Sequence, residues 1–239
     1  MRRVLAVLLL ALPATAAGAV GGDRLNVYAA ASLTEVFEQV DPESAYNFAG
    51  SNQLAFQIRQ GAAADVFASA SPKYTQSLFR AGLVERPSTF ASNSLVLAVP
   101  RANRAGLRSV FDLRTKDVRL VVGTAAVPVG AYTRDVLRRL GLTSVLAKVV
   151  SREPDVKGIV GKLALGQADA GFVYATDVRT VAGRVTAIRL PPRAQPTVRY
   201  EIAVVARSRS KAAARAWVRA LRTGARARRL LSQAGFGLP

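Results

Sequence analysis

Six short runs of β-branched and aliphatic residues recur along the chain: "LNVYAA" (25–30), "DVFASA" (65–70), "SLVLAVP" (94–100), "RLVVG" (119–123), "AGFVYA" (170–175) and "YEIAVVA" (200–206). Between them the apolar positions return every three or four residues, which is helical spacing. Strands alternating with helices predict an α/β fold built on mainly parallel sheets. Helices are expected to start near Ser32, Ser51, Pro72, Gly130, Asp155, Ser210 and Gly224. Most of these starts carry Ser, Gly, Asp or Pro in the cap or first-turn position. No internal repeat or low-complexity linker interrupts the pattern. The strands at 94–100 and 200–206 are natural places for the chain to cross between two lobes. That reading makes 20–93 plus 203–239 a discontinuous first lobe and 94–202 an inserted second lobe.

The first 19 residues follow a different pattern. Arg2 and Arg3 precede the apolar run Val4 to Leu12, and small residues follow in "PATAAGA". A basic start, a short apolar stretch and an A-x-A site mark a secretory signal peptide. The run is too short for a membrane span, which needs about 20 apolar residues. Cleavage is expected after Ala16 or Ala19, with Ala19 preferred, and the product is an exported protein.

Composition narrows the chemistry. Of 239 residues, 50% are hydrophobic and 21% charged, a globular balance, and the chain has no Cys and no His. Disulfides, lipid attachment through a mature N-terminal Cys, Cys/His zinc sites and catalytic triads built on His are therefore excluded. An oxygen-ligand metal site or a carboxylate-dependent hydrolase is left open, with Asp65 or Asp177 as its base. The bland role of Asp65, Asp169 and Asp177 is capping or structural pairing. The net charge is +19. Such a charge draws anions and is compatible with nucleic-acid or membrane-surface contact. The basic residues, however, are spread along the chain without interleaved aromatics. In 207–231, Trp217, Val218 and Leu221 share one helical face while Arg215, Arg219 and Arg222 share another, which predicts a docking helix with a solvated basic side.

Four strand-to-helix turns end in small residues at a helix start: "AAASLTEVF" (29–37), "FAGSNQLAFQI" (48–58), "AVPVGAY" (126–132) and "EPDVKGIVGKLA" (153–164). A helix start leaves about four backbone N–H groups unpaired and carries roughly half a positive charge. Small residues let an anion approach that backbone. Ser32, Ser51 and Tyr174 add hydroxyl donors, although Ser alone is often no more than a cap.

The ordered set "VYAAASLTEVFE", "AGSNQLAFQIRQGAAADVFASASPKY", "NSLVLAVP", "GTAAVPVGAY", "DVKGIVGKLALGQADAGFVYATD" and "AGFG" resembles the periplasmic molybdate-binding proteins of ABC importers, from Leu25 to Phe236. The resemblance implies a two-lobed periplasmic-binding-protein fold of type II with a ligand cleft between the lobes. It implies oxyanion contacts from Ser32 and Ser51 on one lobe and from Val129, Val156 and Tyr174 on the other, Val129 and Val156 through backbone N–H. It further implies molybdate or tungstate as ligand, a membrane permease as partner, no cofactor and no catalytic residue. A monomer that binds no nucleic acid is expected. Sulfate or phosphate is the alternative ligand. Three departures stand out: "EQVDPESAYNF" is short, so the first helix should be clipped; "GSN" replaces a run of serines; and Val129 stands where Ala is common.

Overall fold

The computed structural model describes residues 24–239. The signal-peptide segment and its cleavage site lie outside the described residues. The first sheet begins with β1 (Asn26–Ala30), a 3-10 turn (Ala31–Leu33) and α1 (Thr34–Val40), then β2 (Ala45–Ala49), α2 (Ser51–Arg59), β3 (Val66–Ser69), α3 (Pro72–Arg80) and β4 (Ser88–Asn93). The chain crosses at Ser94 into β5 (Leu95–Pro100), followed by α4 (Asp112–Thr115), β6 (Leu120–Gly123), α5 (Pro128–Arg139) and β7 (Val149–Glu153). Then come α6 (Val156–Ala164), β8 (Ala170–Tyr174), α7 (Ala175–Thr180) and β9 (Val185–Arg189). It returns through β10 (Val198–Val204) and ends on α8 (Lys211–Thr223) and α9 (Ala225–Ala234). The clipped first helix is present: α1 has 7 residues.

The strands form two five-stranded sheets, β2-β1-β3-β10-β4 and β7-β6-β8-β5-β9. Both are mixed and mainly parallel, as expected: in each, four strands run the same way and one runs against them. The β1–β2, β1–β3, β6–β7 and β6–β8 pairs are parallel, whereas β5 and β10 run antiparallel to both of their neighbours. The reason is the crossing itself. β5 and β10 each enter their sheet from the other lobe, at the end where the parallel strands finish, and so run against them. Each lobe therefore has its parallel strands ending, and its helices starting, on the side that faces its partner.

The second crossing also differs from the expected one. The predicted boundary at 202/203 falls inside β10, which pairs along its length with β3 and β4 of the first sheet. The chain changes sheet between Arg189 and Val198 instead. The two crossings are tied together by one side chain: Gln195 Oε1 accepts from the Leu95 N–H at 3.2 Å, and its Nε2 donates to the Leu95 carbonyl at 2.8 Å.

Burial explains the layers. Strands β3, β6 and β8 are buried at every position, and β5 at all but Pro100. Helices cover both faces, as a sheet flanked on both sides requires. The C-terminal helices dock as their apolar spacing predicts. Trp217 packs edge-on against Phe37, with ring centroids 5.4 Å apart, and donates its indole N–H to Asp41 Oδ2 at 2.7 Å. Leu221 is buried, and Arg215 reaches Glu85 at 2.6 Å. Among the described residues no helix is long and apolar enough to cross a membrane.

Candidate functional site

The helix starts of the two lobes converge on one cavity. Its first wall comes from Ala30 to Ser32 after β1, Ala49 to Ser51 at the start of α2, and Ala70 after β3. The opposite wall comes from Val127 to Val129 at the start of α5, Asp155 and Val156 at the start of α6, and Tyr174 at the end of β8. All five residues singled out in the sequence, Ser32, Ser51, Val129, Val156 and Tyr174, line this cavity. Its volume is about 10 Å³ (the space open to the centre of a water molecule), so the two walls leave little more than a water-sized space between them.

Local sequence sets each donor. Pro128 occupies the first turn of α5, where its missing N–H costs nothing, and leaves the amides of Val129 and Gly130 without an intrahelical acceptor. Asp155 caps α6 through Oδ1, which accepts from the Gly158 N–H at 3.1 Å. The amide of Val156, at the first helical position, stays open. Ser51 Oγ accepts from the Ala70 N–H at 3.1 Å, which leaves its proton free to donate.

Ser32 is oriented by residues the sequence reading passed over. Its Oγ lies 2.9 Å from Tyr200 Oη, and Tyr200 Oη lies 3.5 Å from Asn93 Nδ2. Asn93 Nδ2 also donates to Thr176 Oγ1 at 2.9 Å. With Asn93 Nδ2 able only to donate, Tyr200 is biased to pass its own proton to Ser32, and Ser32 turns its proton to the cavity. Burial pushes the Tyr200 phenol well above its usual range, reinforced by the nearby Asp177 charge, so it stays protonated. The available signal was a lone tyrosine beside a glutamate in an otherwise apolar strand, which does not by itself reveal a partner on another element.

Tyr174 is the informative donor. Its hydroxyl is buried and has no hydrogen-bond partner. Among the described residues two other buried side-chain atoms share that condition, Asn52 Oδ1 and Asp177 Oδ1, but only Tyr174 lines the cavity. A buried hydroxyl left unpaired costs about 1–3 kcal/mol, so its place on the wall points to a missing acceptor. Burial, then the neighbouring Tyr200, Tyr132 and Asp177, holds this phenol protonated far above neutral pH. No Lys or Arg lines the cavity, and the one acid, Asp155, caps α6 through Oδ1. The wall is thus a set of donors without ionisable cations.

The lobes are in contact over this cavity. Tyr132 Oη donates to the Ala70 carbonyl at 3.3 Å, and Tyr74 Oη donates to the Ala126 carbonyl, each from one lobe to the other. Gly50 lies where the walls approach closely: a Cβ there would sit 2.5 Å from the Pro154 carbonyl oxygen and 3.2 Å from Val127 Cγ2.

Asp65 and Asp177, considered as bases, and Asp169 beside them take structural roles. Asp65 accepts from the Asn26 N–H at 2.8 Å and from Ser208 Oγ at 2.6 Å, and Asp169 pairs with Arg119 at 2.9 Å. Asp177 accepts from the Tyr174 N–H at 3.2 Å and caps α7. None of the three lines the cavity, and no group of three or more acids is arranged to hold a metal among the described residues.

Comparison with known proteins agrees with this geometry. The family model described as bacterial extracellular solute-binding protein matches residues 25–237. The chain belongs to that family. Among its relatives, the molybdate-binding protein ModA of Mycobacterium tuberculosis is 39% identical over 229 residues, covering 92% of this chain and 86% of the relative. The ModA of Haemophilus influenzae is 31% identical, covering 76% of this chain and 78% of the relative. The periplasmic molybdate-binding protein of Azotobacter vinelandii shares the fold at TM-score 0.81 and 22% identity, over 90% of this chain and all of that one. The chain is accordingly a two-lobed solute-binding protein and not an enzyme.

As a solute-binding protein it keeps one titrating group behind the cavity. Burial pushes the Asp177 carboxyl up to about 7, against the opposing pull of Lys157 and the Tyr174 N–H. A carboxyl raised in the folded state contributes stability that is present below its unfolded value near 4 and is lost as pH rises through 7. The melting temperature of the wild type should therefore fall relative to Asp177→Asn between pH 5 and 8. A constant difference across that range would show that burial does not control this group.

Proposed function

We propose that this chain captures molybdate or tungstate outside the cytoplasm and delivers it to the membrane permease of an ABC importer. The observation that carries the reading is the partnerless Tyr174 hydroxyl on a cavity wall made of donors. Molybdate and tungstate carry no proton near neutral pH and need donors only. A protonated phosphate would require an acceptor, and the one acid on the wall, Asp155, caps its helix through Oδ1 while every proposed contact is a donor. Each charge-assisted bond contributes about 1.5–3 kcal/mol. Several together offset dianion desolvation and reach the roughly −8 kcal/mol of a micromolar site. The names of the ModA relatives point the same way.

Capture proceeds by closure. In the open form the anion bonds to one lobe; in the closed form both lobes supply donors, so the ligand favours closure. The lobes in this reading are 24–93 with 198–239, and 94–197. Ser32 and Ser51 donate from the first, and Val129, Val156 and Tyr174 from the second. The signal-peptide pattern supports export, and release after Ala19 takes Arg2 and Arg3 away and leaves a strongly basic chain.

Calorimetric titration of the mature protein with molybdate, tungstate, sulfate and phosphate tests the reading, run beside Tyr174→Phe. One-to-one binding of molybdate or tungstate with sulfate and phosphate silent is expected. Tyr174→Phe should bind about tenfold to a hundredfold more weakly, because one charge-assisted bond is lost. Its ligand-free melting temperature should not fall, since the deleted hydroxyl had no partner. Silence from all four ions in folded protein would refute the assignment.

A further inference from the structure

One ion pair joins the two lobes. Lys157 Nζ, on the first turn of α6, lies 2.5 Å from Glu35 Oε1 on α1. The other ion pairs among the described residues, such as Arg119–Asp169 and Arg215–Glu85, stay within a lobe. The same ammonium lies 3.7 Å from Asp177 Oδ1, a fully buried atom with no hydrogen-bond partner.

The three charges sit directly behind the oxyanion donors. Glu35 is three residues past Ser32, Lys157 follows Val156, and Asp177 is three residues past Tyr174. Asp177 belongs to the same lobe as Lys157, so once ionised, above its raised value of about 7, it holds the ammonium in place whether or not the lobes touch. Glu35 then meets a cation already positioned, which lowers the side-chain entropy lost when the pair forms.

We propose that Lys157 is a positioning residue, the centre of a charge clasp anchored on Asp177 and closing on Glu35, which holds the lobes shut over the bound oxyanion and sets its release rate. The proposal rests on the oxyanion-capture reading above. An ion pair within one lobe stabilises the open and closed forms alike. A pair between lobes exists only in the closed form, so its free energy goes into the closing equilibrium and from there into ligand release. The side chains of Lys157 and Glu35 are 28% and 44% exposed, so solvent weakens the pair. The expected effect is about a threefold to fivefold change in rate.

The test is stopped-flow release of molybdate at pH 8, where Asp177 is ionised, from the wild type, Glu35→Gln, Lys157→Gln and the double variant. Glu35→Gln is on a half-exposed helix face and should fold as the wild type does. It should release molybdate about threefold to fivefold faster with an unchanged association rate, and the double variant should be no faster than Lys157→Gln alone. Added salt should speed release from the wild type and have less effect on Glu35→Gln. An unchanged release rate in Glu35→Gln, or effects that add in the double variant, would overturn the clasp while leaving the ligand assignment intact. If the wild type does not bind molybdate, the ligand assignment falls, and the clasp is judged on ligand-free protein. Small-angle scattering should then give Glu35→Gln a larger radius of gyration than the wild type, and equal radii would overturn it.

Discussion

Gly50→Ala is expected to weaken molybdate binding by about a hundredfold or more while leaving the ligand-free protein close to wild-type stability. The added methyl would sit 2.5 Å from the Pro154 carbonyl, a backbone atom of the opposite lobe that has no rotamer to escape into. Closure would stop short, and the donors of one lobe would lie beyond bonding distance. Losing two charge-assisted bonds of about 1.5 kcal/mol each already amounts to roughly a hundredfold. Within the first lobe the added methyl meets Asn52 Oδ1 at 2.8 Å, a side-chain atom that can turn away, and the backbone at φ −60° and ψ 135° suits any residue. Calorimetry with a thermal melt of the ligand-free protein separates the two effects. Wild-type affinity in Gly50→Ala would mean that the lobes do not close at this point.

The second large effect is expected from Ser32→Ala combined with Ser51→Ala, which should bind molybdate at least about a hundredfold more weakly for the same bond count. Here the fold pays as well. Ser51 Oγ takes the Ala70 N–H, and Ser32 Oγ takes up Tyr200 Oη, so the alanines strip partners from buried groups. A modest drop in melting temperature should accompany the loss of affinity, in contrast to Gly50→Ala. Unchanged affinity in the double variant would refute the site.

The sequence made some strands legible and hid others for a single physical reason. The six apolar runs became β1, β3, β5, β6, β8 and β10, the interior strands of their sheets. The four strands it concealed, β2, β4, β7 and β9, are the four sheet edges. Edge strands such as "STFASN" and "VVSRE" are only partly covered and carry polar residues that blur the signal. The mixed direction of the sheets was hidden too, because direction follows from which lobe a strand enters from, not from its residues. At the site, the capping residues and small turns of Ser32, Ser51, Val129 and Val156 were readable locally, and the family resemblance bound them into a set. Tyr200 and Glu35 were not readable. Tyr200 meets Ser32 across 168 positions, and Lys157 meets Glu35 across 122, and no local pattern encodes such meetings.

The Gln195 amide, bonded to both the N–H and the carbonyl of Leu95, has a mechanical meaning. Two independent tethers would let the lobes slide, twist and tilt. Two leaves pinned together behave as a flexure that bends about one axis and resists shear. Each opening and closing stroke then returns the facing amides to the same spacing. For a cargo chosen by the distances between fixed donors, the repeatability of that stroke is itself part of the selectivity, carried by a residue that never touches the ion.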